Sequence, residues 1–326
     1  MGEPFIHSVL VEEADPAADT IASHDLPVTP LSGLLLELKP LNETATITDY
    51  QTAVGILDAI NSIRVLHRGK TVLDIRGRDL WAALQHRWRA DVTQSNMVQT
   101  DNDRRSIVIP IMFGRHWGDP TEGLPATTAG ELVLRLDLDV AGTGYDDLRY
   151  QVEALELPDA TFAHFNRMTT IAQTFAATGN NDIILPVGWP YRGLLLFNTT
   201  EFAGAAPAPG LGRLSIRRDG VEQGYVGTDF ERLRGLFGAL GKTHSVYSEH
   251  RHHVIVNDTV DVFALNPQDW HQQLDEFAYM DFDFTRDDRY ILETKGANRL
   301  VLRSDAEVAE AMRVILIEKV PVADFF

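Results

Sequence analysis

Short apolar runs separated by turn-forming residues dominate the first half of the chain. Each run is apolar throughout or alternates between apolar and polar residues, and Gly, Pro, Asn or Asp bound it. This pattern is typical of β-strands in sandwiches and barrels. It predicts strands over residues 34–39, 45–48, 63–67, 71–76, 106–113 and 131–140.

The second half of the chain shows the same pattern. It predicts strands over residues 182–187, 193–198, 214–217, 253–257, 279–285, 299–303 and 312–319. Apolar residues at helical spacing predict short helices over residues 50–60, 78–89 and 230–240. Long helices do not alternate with the strands, as they would in a parallel sheet. We therefore predict an all-β fold of two tandem antiparallel jelly-roll domains, which are β-sandwiches with short helices in their loops.

Three segments of the first half recur in the second half in the same order. The spacing between the copies changes by a few residues, as it does when two copies of one domain accept different loop lengths. An N-terminal jelly roll over residues 1–160 and a C-terminal jelly roll over 161–326 are predicted, with the boundary near 158–168. The segment Leu26 to Leu36 recurs as Leu185 to Leu196. Ile63 to Gly69 recurs as Leu214 to Gly220, and Gly77 to Leu80 recurs as Gly227 to Phe230. Finally, Leu132 to Asp137 recurs as Leu300 to Asp305.

Composition agrees with two globular domains, because 326 residues suit two domains of about 150 residues each. The formal net charge is −18, and both halves are acidic, which argues against binding of nucleic acid. Residues 1–30 contain no Lys or Arg, which argues against a signal-peptide start or a membrane-seeking arm. No apolar run is long enough to span a bilayer. Disulfides and thiolate chemistry are excluded, since the chain has no cysteine.

A histidine cluster is the first candidate for chemistry. In a strand, His250 and His252 would face the same side, close enough to share a metal, and His253 follows them. Cupins, which are also jelly rolls, begin their metal site with His-X-His. They add a carboxylate a few residues later and a distant His, and neither is evident here. The cluster therefore favours an exposed strand end or a loop, and no metal, cofactor or catalytic residue is predicted.

Acidic pairs are the second candidate. Asp281 with Asp283, or Asp287 with Asp288, could serve a glycosidase that holds two carboxylates across a cleft. Alternation over residues 279–284 instead predicts a strand with Asp281 and Asp283 together on a solvated face. A third group of acidic residues could hold calcium in a loop, but the EF-hand spacing is absent, so these residues are predicted to lie in turns. These are Asp137, Asp139, Asp146 and Asp147.

Two further signals bear on function. No Gly-X-Ser-X-Gly occurs, so a serine hydrolase is not supported. Tryptophan side chains stack on sugars, but burial is their commoner fate. Trp189 is predicted at an interface, and Trp117 or Trp270 would line the site of a glycan-binding protein.

The order of these elements resembles that of the double jelly-roll major capsid proteins of tailless icosahedral bacterial and archaeal viruses, many of which enclose a membrane. The residues that carry the resemblance are Ile63 to Gly69, Ile75 to Leu80, Ile109 to Phe113, Leu124 to Ala126 and Glu131 to Leu134. It implies a structural, non-enzymatic coat protein that forms homotrimers, whose pseudo-hexagonal capsomers tile the virion shell after assembly in the host cytoplasm.

The resemblance also implies partners. They are other copies of the chain and minor capsid or penton proteins, while the acidic N-terminus gives no support to contact with an internal membrane. The apolar tail, residues 322–326, is predicted to dock on a neighbour or the particle interior. Polar loops over 91–104, 114–127 and 243–253 are predicted as tower or contact loops. The alternatives left open are a carbohydrate-active or metal-dependent enzyme and a glycan-binding attachment protein.

Overall fold

The strands of the first half form two sheets. In this computed structural model, residues 4–16, 21–41, 53–90, 93–95, 98–99, 104, 106–139, 147–198, 210–240, 251–256, 259–264, 274 and 276–326 are described. We call the elements β1 to β10 copy one. Its strands are β1 (Ile6–Ala14), β2 (Ile21–Asp25), β3 (Leu31–Leu41), β4 (Ile60–His67), β5 (Lys70–Ile75), β6 (Thr93–Ser95), β7 (Val98–Gln99), β8 (Ser106–Met112), β9 (Leu132–Leu138) and β10 (Asp147–Glu156).

We call the elements β11 to β21 copy two. Its strands are β11 (His164–Thr174), β12 (Gly179–Leu185), β13 (Tyr191–Asn198), β14 (Arg213–Arg218), β15 (Val221–Glu222), β16 (Thr228–Asp229), β17 (Arg251–Val256), β18 (Thr259–Ala264), β19 (Phe277–Asp281), β20 (Leu300–Ala306) and β21 (Ala311–Pro321). The helices are α1 (Ala53–Asp58), α2 (Gly77–Ala83), which continues as a π-helical turn over Leu84–Trp88, α3 (Phe230–Leu240) and α4 (Val322–Phe325). Within the described ranges, no helix is long and apolar enough to cross a membrane.

Each copy is an antiparallel sandwich, and the two copies share one sheet. In copy one, the order β1-β10-β3-β8-β6 faces the order β5-β4-β9-β2. In copy two, β11-β21-β13-β19 faces β12-β20-β14-β15. Strands β5 and β11 pair in parallel, so two of these sheets join into one of eight strands, β19-β13-β21-β11-β5-β4-β9-β2. A smaller sheet, β18-β17-β7, also combines strands of both copies.

Strand register confirms the repeat found in the sequence. Ile63 lies opposite Leu136 in the β4–β9 pair, and its counterpart Leu214 lies opposite Ser304 in the β14–β20 pair, the position that corresponds to Leu136. The other repeated segments, β3 with β13 and β9 with β20, likewise keep their pairing partners. The two halves are therefore copies of one jelly-roll plan, as the sequence predicts.

The hairpin turns of the two copies also match. Arg68 and Gly69 turn β4 into β5 with φ of 49° and 81°, and Asp219 and Gly220 turn β14 into β15 with φ of 50° and 87°. Two successive positive φ angles define the turn that suits the twist of a hairpin, and glycine adopts them without strain. The repeated glycine is therefore a backbone requirement.

The apolar core shows how the copies lie against each other. Leu194 and Leu196 on β13 point into the core of copy two, while Leu195 and Phe197 point the other way into the core that copy one builds. Strand β13 is consequently buried along its whole length. This explains its unbroken apolar run, since a strand with both faces covered does not alternate.

Most predicted strands and the three predicted helical regions are confirmed, with shifted ends. The predicted strand 45–48 lies outside the described residues. Two predictions are wrong in extent: the strand predicted over 279–285 ends at Asp281, and the helix predicted over 50–60 ends at Asp58 because Ile60 begins β4. Three long strands, β1, β10 and β11, were not predicted, and neither were the shorter strands β2, β6, β7, β15, β16 and β18. Polar residues interrupt their apolar pattern.

Candidate functional site: the joint between the two copies

The contact between copy one and copy two, which we call the joint, is centred on the parallel pairing of β5 with β11. Met168 lies opposite Leu73, and Thr169 lies opposite Asp74. Side chains add to the main-chain bonds, because Arg167 Nε donates to the carbonyl of Thr71 at 2.9 Å. Two residues beyond Met168, Thr170 Oγ1 donates to the carbonyl of Asp74 at 3.1 Å. The edge of copy one is therefore sealed by the first strand of copy two.

Arg192 is the centre of a buried ion cluster at the joint. The repeated segment that opens β13 places its side chain between the copies, where it is 0% exposed. Its Nη atoms donate to both carboxylate oxygens of Glu122, at 2.7 and 2.5 Å, and to Asn166 Oδ1 at 2.6 Å. Asp288 accepts two more bonds, at 3.0 and 3.2 Å. A planar guanidinium suits this many acceptors, whereas a lysine does not.

Three further cations complete the ion cluster. Arg115 Nη1 donates to Asp283 at 3.0 Å and its Nη2 contacts Asp288, and Arg87 Nη2 donates to Asp283 at 2.8 Å in a fully buried pair. Lys319 Nζ lies 2.9 Å from Asp288. Charges removed from water are tolerated when they are paired, and each of these cations is paired with a carboxylate, although Nε and Nη1 of Arg87 are buried without a hydrogen-bond partner among the described residues. The ion cluster therefore ties the loop after β8 to the loop after β19.

The contacts of Asp288 in the ion cluster lower its pKa. Burial alone raises the pKa of Asp288, but hydrogen bonds and positive charge from Arg192, with Lys319 and Arg115, outweigh it and hold that pKa far below its usual range. Burial likewise opposes ionisation of Asp119, yet hydrogen bonds from Thr121 leave its pKa lowered. The joint thus contains buried acidic side chains whose negative charge is neutralised by neighbouring arginine and lysine side chains.

A second pair of contacts links helix α2 of copy one to the sheet of copy two. Arg313 on β21 donates to both oxygens of the buried Asp79, at 2.9 and 2.6 Å, and its guanidinium lies 3.6 Å from the ring centroid of Phe197. Arg78 pairs with the buried Glu276 at 2.6 Å. Every residue of α2 except Arg78 is buried, so the joint covers this helix almost completely.

The C-terminal tail docks inside its own chain. Phe325 is buried and packs edge-on against Phe165, with ring centroids 5.3 Å apart, while the docking of the tail on a neighbour or the particle interior stays a prediction. Phe326 stacks on His67 at 4.3 Å, and Lys70 Nζ donates to the carbonyl of Phe325 at 3.2 Å. Since Phe165 belongs to copy two and His67 to copy one, the tail fastens the joint from one end.

His86 makes the joint sensitive to acid. Its imidazole is stacked on Tyr279, with ring centroids 6.0 Å apart, and burial lowers its pKa to about 4. A depressed histidine pKa means that the unfolded chain binds a proton more readily, so stability falls as pH drops from about 6.5 towards 4. We expect His86→Phe to remove about 2 kcal/mol of the loss between pH 7 and pH 5. Urea titrations of both proteins at the two pH values measure this, and an unchanged pH dependence would contradict the assignment to His86.

The acidic pairs predicted from the sequence belong to the joint. The predicted solvated strand face is wrong, because the strand ends at Asp281 and Asp283 is 0% exposed, bonded to Arg87 and Arg115. Asp288 lies in the ion cluster, whereas Asp287 is exposed and accepts from Thr285. Sequence reasoning missed the partners of these carboxylates. Arg192 lies in the repeated segment Leu185 to Leu196, but the residues near it in the sequence do not indicate which carboxylates it binds.

The other candidates are dispersed. His250 lies outside the described residues, and His252 and His253 lie on β17. No three His, Cys, Asp or Glu side chains in the described part of the chain lie close enough to hold a metal. The prediction of turns for the remaining acidic residues is wrong for Asp137, which lies within β9, and Asp147, which opens β10. Asp139 follows β9, and Asp146 is outside the described residues.

The structure also locates some of the tryptophans and loops that the sequence analysis singled out. Trp189 packs against Phe325 at 5.9 Å and lies under Arg167 at 5.3 Å, and its predicted place at an interface stays a prediction. Trp117 packs on the core of copy one, and Trp270 is outside the described residues. The predicted contact loop 114–127 carries Arg115 and Glu122 of the ion cluster and so faces copy two in part. Most of the loops 91–104 and 243–253 lies outside the described residues.

Two jelly rolls side by side, fused through one sheet and a buried ion cluster, define the double jelly-roll class of fold. Compared with known protein families and with curated protein sequences, the chain matches none. Solved structures do match. The major capsid protein of bacteriophage PM2 is 12% identical with a TM-score of 0.63, over 98% of each chain. That of Sulfolobus Turreted Icosahedral Virus is 12% identical with a TM-score of 0.67, again over 98% of each chain. The Faustovirus major capsid protein is 8% identical with a TM-score of 0.56, over 98% of this chain and 90% of that one.

Proposed function

We propose that the chain is a major capsid protein, a structural coat subunit located in the virion shell. Three chains form a pseudo-hexagonal capsomer, and capsomers tile an icosahedral shell. The observation that carries this proposal is the duplicated jelly roll joined edge to edge, because two similar blocks per chain let three chains occupy a sixfold position. The likeness to viral major capsid proteins over 98% of the chain supports it.

The character of the joint suits a building block. Its charged side chains form ion pairs with one another: Arg192 binds Glu122 and Asp288, and Arg87 and Arg115 bind Asp283. Such a cluster fixes the relative position of two domains, which a tile needs. We therefore propose a structural, non-enzymatic role. We also propose that the domains divide at residues 160 and 161, since β10 ends at Glu156 and β11 begins at His164.

Partners follow from the same proposal. Copies of this chain are the main partner, and minor capsid or penton proteins fill positions that a hexagonal block does not. A membrane beneath the shell would be contacted by other surfaces than the N-terminal segment, because residues 1–30 contain no Lys or Arg.

The proposal is tested by the mass of the purified chain in solution, measured by light scattering, followed by negative-stain imaging of the same sample. We expect a species of three times 36.4 kDa and pseudo-hexagonal particles, sheets or shells. A chain that stays at 36.4 kDa across a hundredfold range of concentration contradicts a capsomer-forming role.

A further inference from the structure

We propose that the joint binds a small monovalent anion of the size of chloride, between Arg87 of copy one and Arg286 of copy two. Both guanidiniums carry buried N–H donors that have no hydrogen-bond partner in the described part of the chain. The anion would hold the two copies together in addition to the strand pairing and the ion pairs already described. The inference concerns the chain itself and does not depend on the proposed function.

Arg87 is a buried cation with unused hydrogen-bond donors. Its side chain is 1% exposed, and its Nη2 donates to Asp283 at 2.8 Å. Its Nε and Nη1 are also buried, and neither has a hydrogen-bond partner among the described residues. A buried donor without an acceptor costs free energy, and the cost is larger when the group is charged. Arg87 therefore needs an acceptor that the neighbouring side chains do not supply.

Asp283 neutralises Arg87 incompletely, because two arginines share it. The same oxygen, Oδ2, accepts from Arg87 and from Arg115 Nη1, the latter at 3.0 Å. Within the described ranges, Asp283 is the one carboxylate at ion-pair distance from Arg87. Burial lowers the pKa of Arg87, and the positive charges of Arg286 and Arg192 add to that effect. Positive charge therefore exceeds negative charge around Arg87.

Arg286 reaches the same place from copy two. Its Nη2 donates to the carbonyl of His86, the residue before Arg87, at the long distance of 3.5 Å. Its Nη1 is buried and has no hydrogen-bond partner in the regions that the structure describes. Asp281 lies 3.5 Å from Nη2, but burial raises the pKa of this carboxyl and so opposes its negative charge. Two guanidiniums from different copies thus lie near each other with too few acceptors.

The backbone has an unusual conformation on both sides of this place. Arg87 lies in the π-helical turn Leu84–Trp88, and such turns are rare and frequent at functional sites. Arg286 has a φ of 60°, in the left-handed region that a residue other than glycine adopts at a cost. Strained residues of this kind cluster where a ligand is bound. Both departures from regular structure carry one of the two arginines.

An anion suits these donors better than a water molecule does. A guanidinium has N–H donors and no acceptor, so a water bound to Arg87 or Arg286 would still need acceptors for its own hydrogens. It would also leave the positive charge uncompensated, which is costly in a buried place. An anion accepts hydrogen bonds and neutralises the charge. A single negative charge is the least costly to remove from water, which favours chloride over sulfate or phosphate.

Urea unfolding of the full chain tests for the anion. The unfolding midpoint is measured in mixtures of sodium chloride and sodium gluconate at constant ionic strength, so that only the kind of anion changes. A ligand that binds the folded chain alone stabilises it progressively as its concentration rises. We expect the midpoint to rise as chloride replaces the much larger gluconate, and bromide to act like chloride. Equal midpoints in all these mixtures overturn the inference.

Two variants locate the effect. Arg87→Met and Arg286→Met are each expected to lose the dependence of the midpoint on chloride. The Arg286 side chain is 31% exposed, so Arg286→Met decides the matter if Arg87→Met does not fold. The matched control is Arg289→Met, because Arg289 is 67% exposed and pairs with Asp287 at 3.3 Å in the same loop. The control is expected to keep the dependence on chloride. A dependence that persists in Arg286→Met overturns the inference.

Bromide in crystals shows the place of the anion directly, since bromide scatters X-rays anomalously. Crystals of the parent chain grown in sodium bromide are expected to give an anomalous peak between Arg87 and Arg286, and crystals of Arg286→Met are expected to lack it. Peaks at exposed arginines alone, with none between these two residues, overturn the inference. Neither result bears on whether the chain forms trimers, so the proposed function is tested separately.

Discussion

Replacing Arg192 by methionine is expected to destabilise the chain by about 3–5 kcal/mol. Methionine keeps much of the side-chain volume but removes the cation that binds both Glu122 and Asp288, and removal of one partner from a buried ion pair has this cost. Arg192→Lys is expected to lie in between, because lysine keeps the charge but cannot reach all the acceptors in the plane of a guanidinium. Denaturant titration of the three proteins measures the change in the free energy of unfolding.

The matched control is Arg68→Met, which removes an exposed pair. Arg68 lies 2.6 Å from Glu131, and its side chain is 60% exposed, so water replaces the lost contact. We expect a change below about 1 kcal/mol. Equal effects of Arg192→Met and Arg68→Met would show that the ion cluster does not hold the two copies together.

Shortening Phe325 to alanine is expected to have an effect of similar size, about 3–5 kcal/mol. The ring is buried between the copies, against Phe165 and Trp189, and its loss leaves a cavity that the surrounding strands cannot fill. Besides the change in unfolding free energy, we expect faster proteolysis at the joint in the variant, since the tail fastens it from one end.

Phe284→Ala is the control for Phe325→Ala because it removes the same atoms from the surface. Phe284 is 58% exposed and stacks on the exposed Tyr290, at 4.7 Å. A loss below about 1 kcal/mol is expected, as most of this ring already contacts water. If both variants lost the same stability, the tail would contribute nothing through its burial.

The sequence predicts the strands correctly where the local apolar alternation and the internal repeat agree. Strands β4 and β9 have clean apolar alternation and a second copy, so their existence follows from the sequence. Strands β1 and β11 were missed for one physical reason. An edge strand in IHSVLVEEA and a joint strand in HFNRMTTIAQT each mix polar and apolar residues on both faces. Tertiary contacts decide what such strands pack against, and the periodicity of the sequence gives no information about those contacts.

The candidate site was hidden from sequence reasoning because its members are far apart along the chain. Arg192 and Glu122 are separated by 70 residues, and Arg115 and Asp283 by 168. Alternation over residues 279–284 predicted a solvated Asp283, but the strand ends two residues earlier and the chain turns into the joint. A charged residue inside an apolar repeat, such as Arg192 between Tyr191 and Gly193, was the one available sign that a buried partner existed.

The parallel pairing of β5 with β11 has a consequence for how the chain is made. As the polypeptide leaves the ribosome, copy one is complete before copy two, and its β5 edge is then an open template for pairing with another nascent chain. The strand that closes this edge is β11, the next strand to be synthesised after β10. Gene order thus shortens the interval during which the nascent coat subunit exposes an aggregation-prone edge. A circularly permuted gene that delays β11 would lengthen that interval while leaving the final contacts the same.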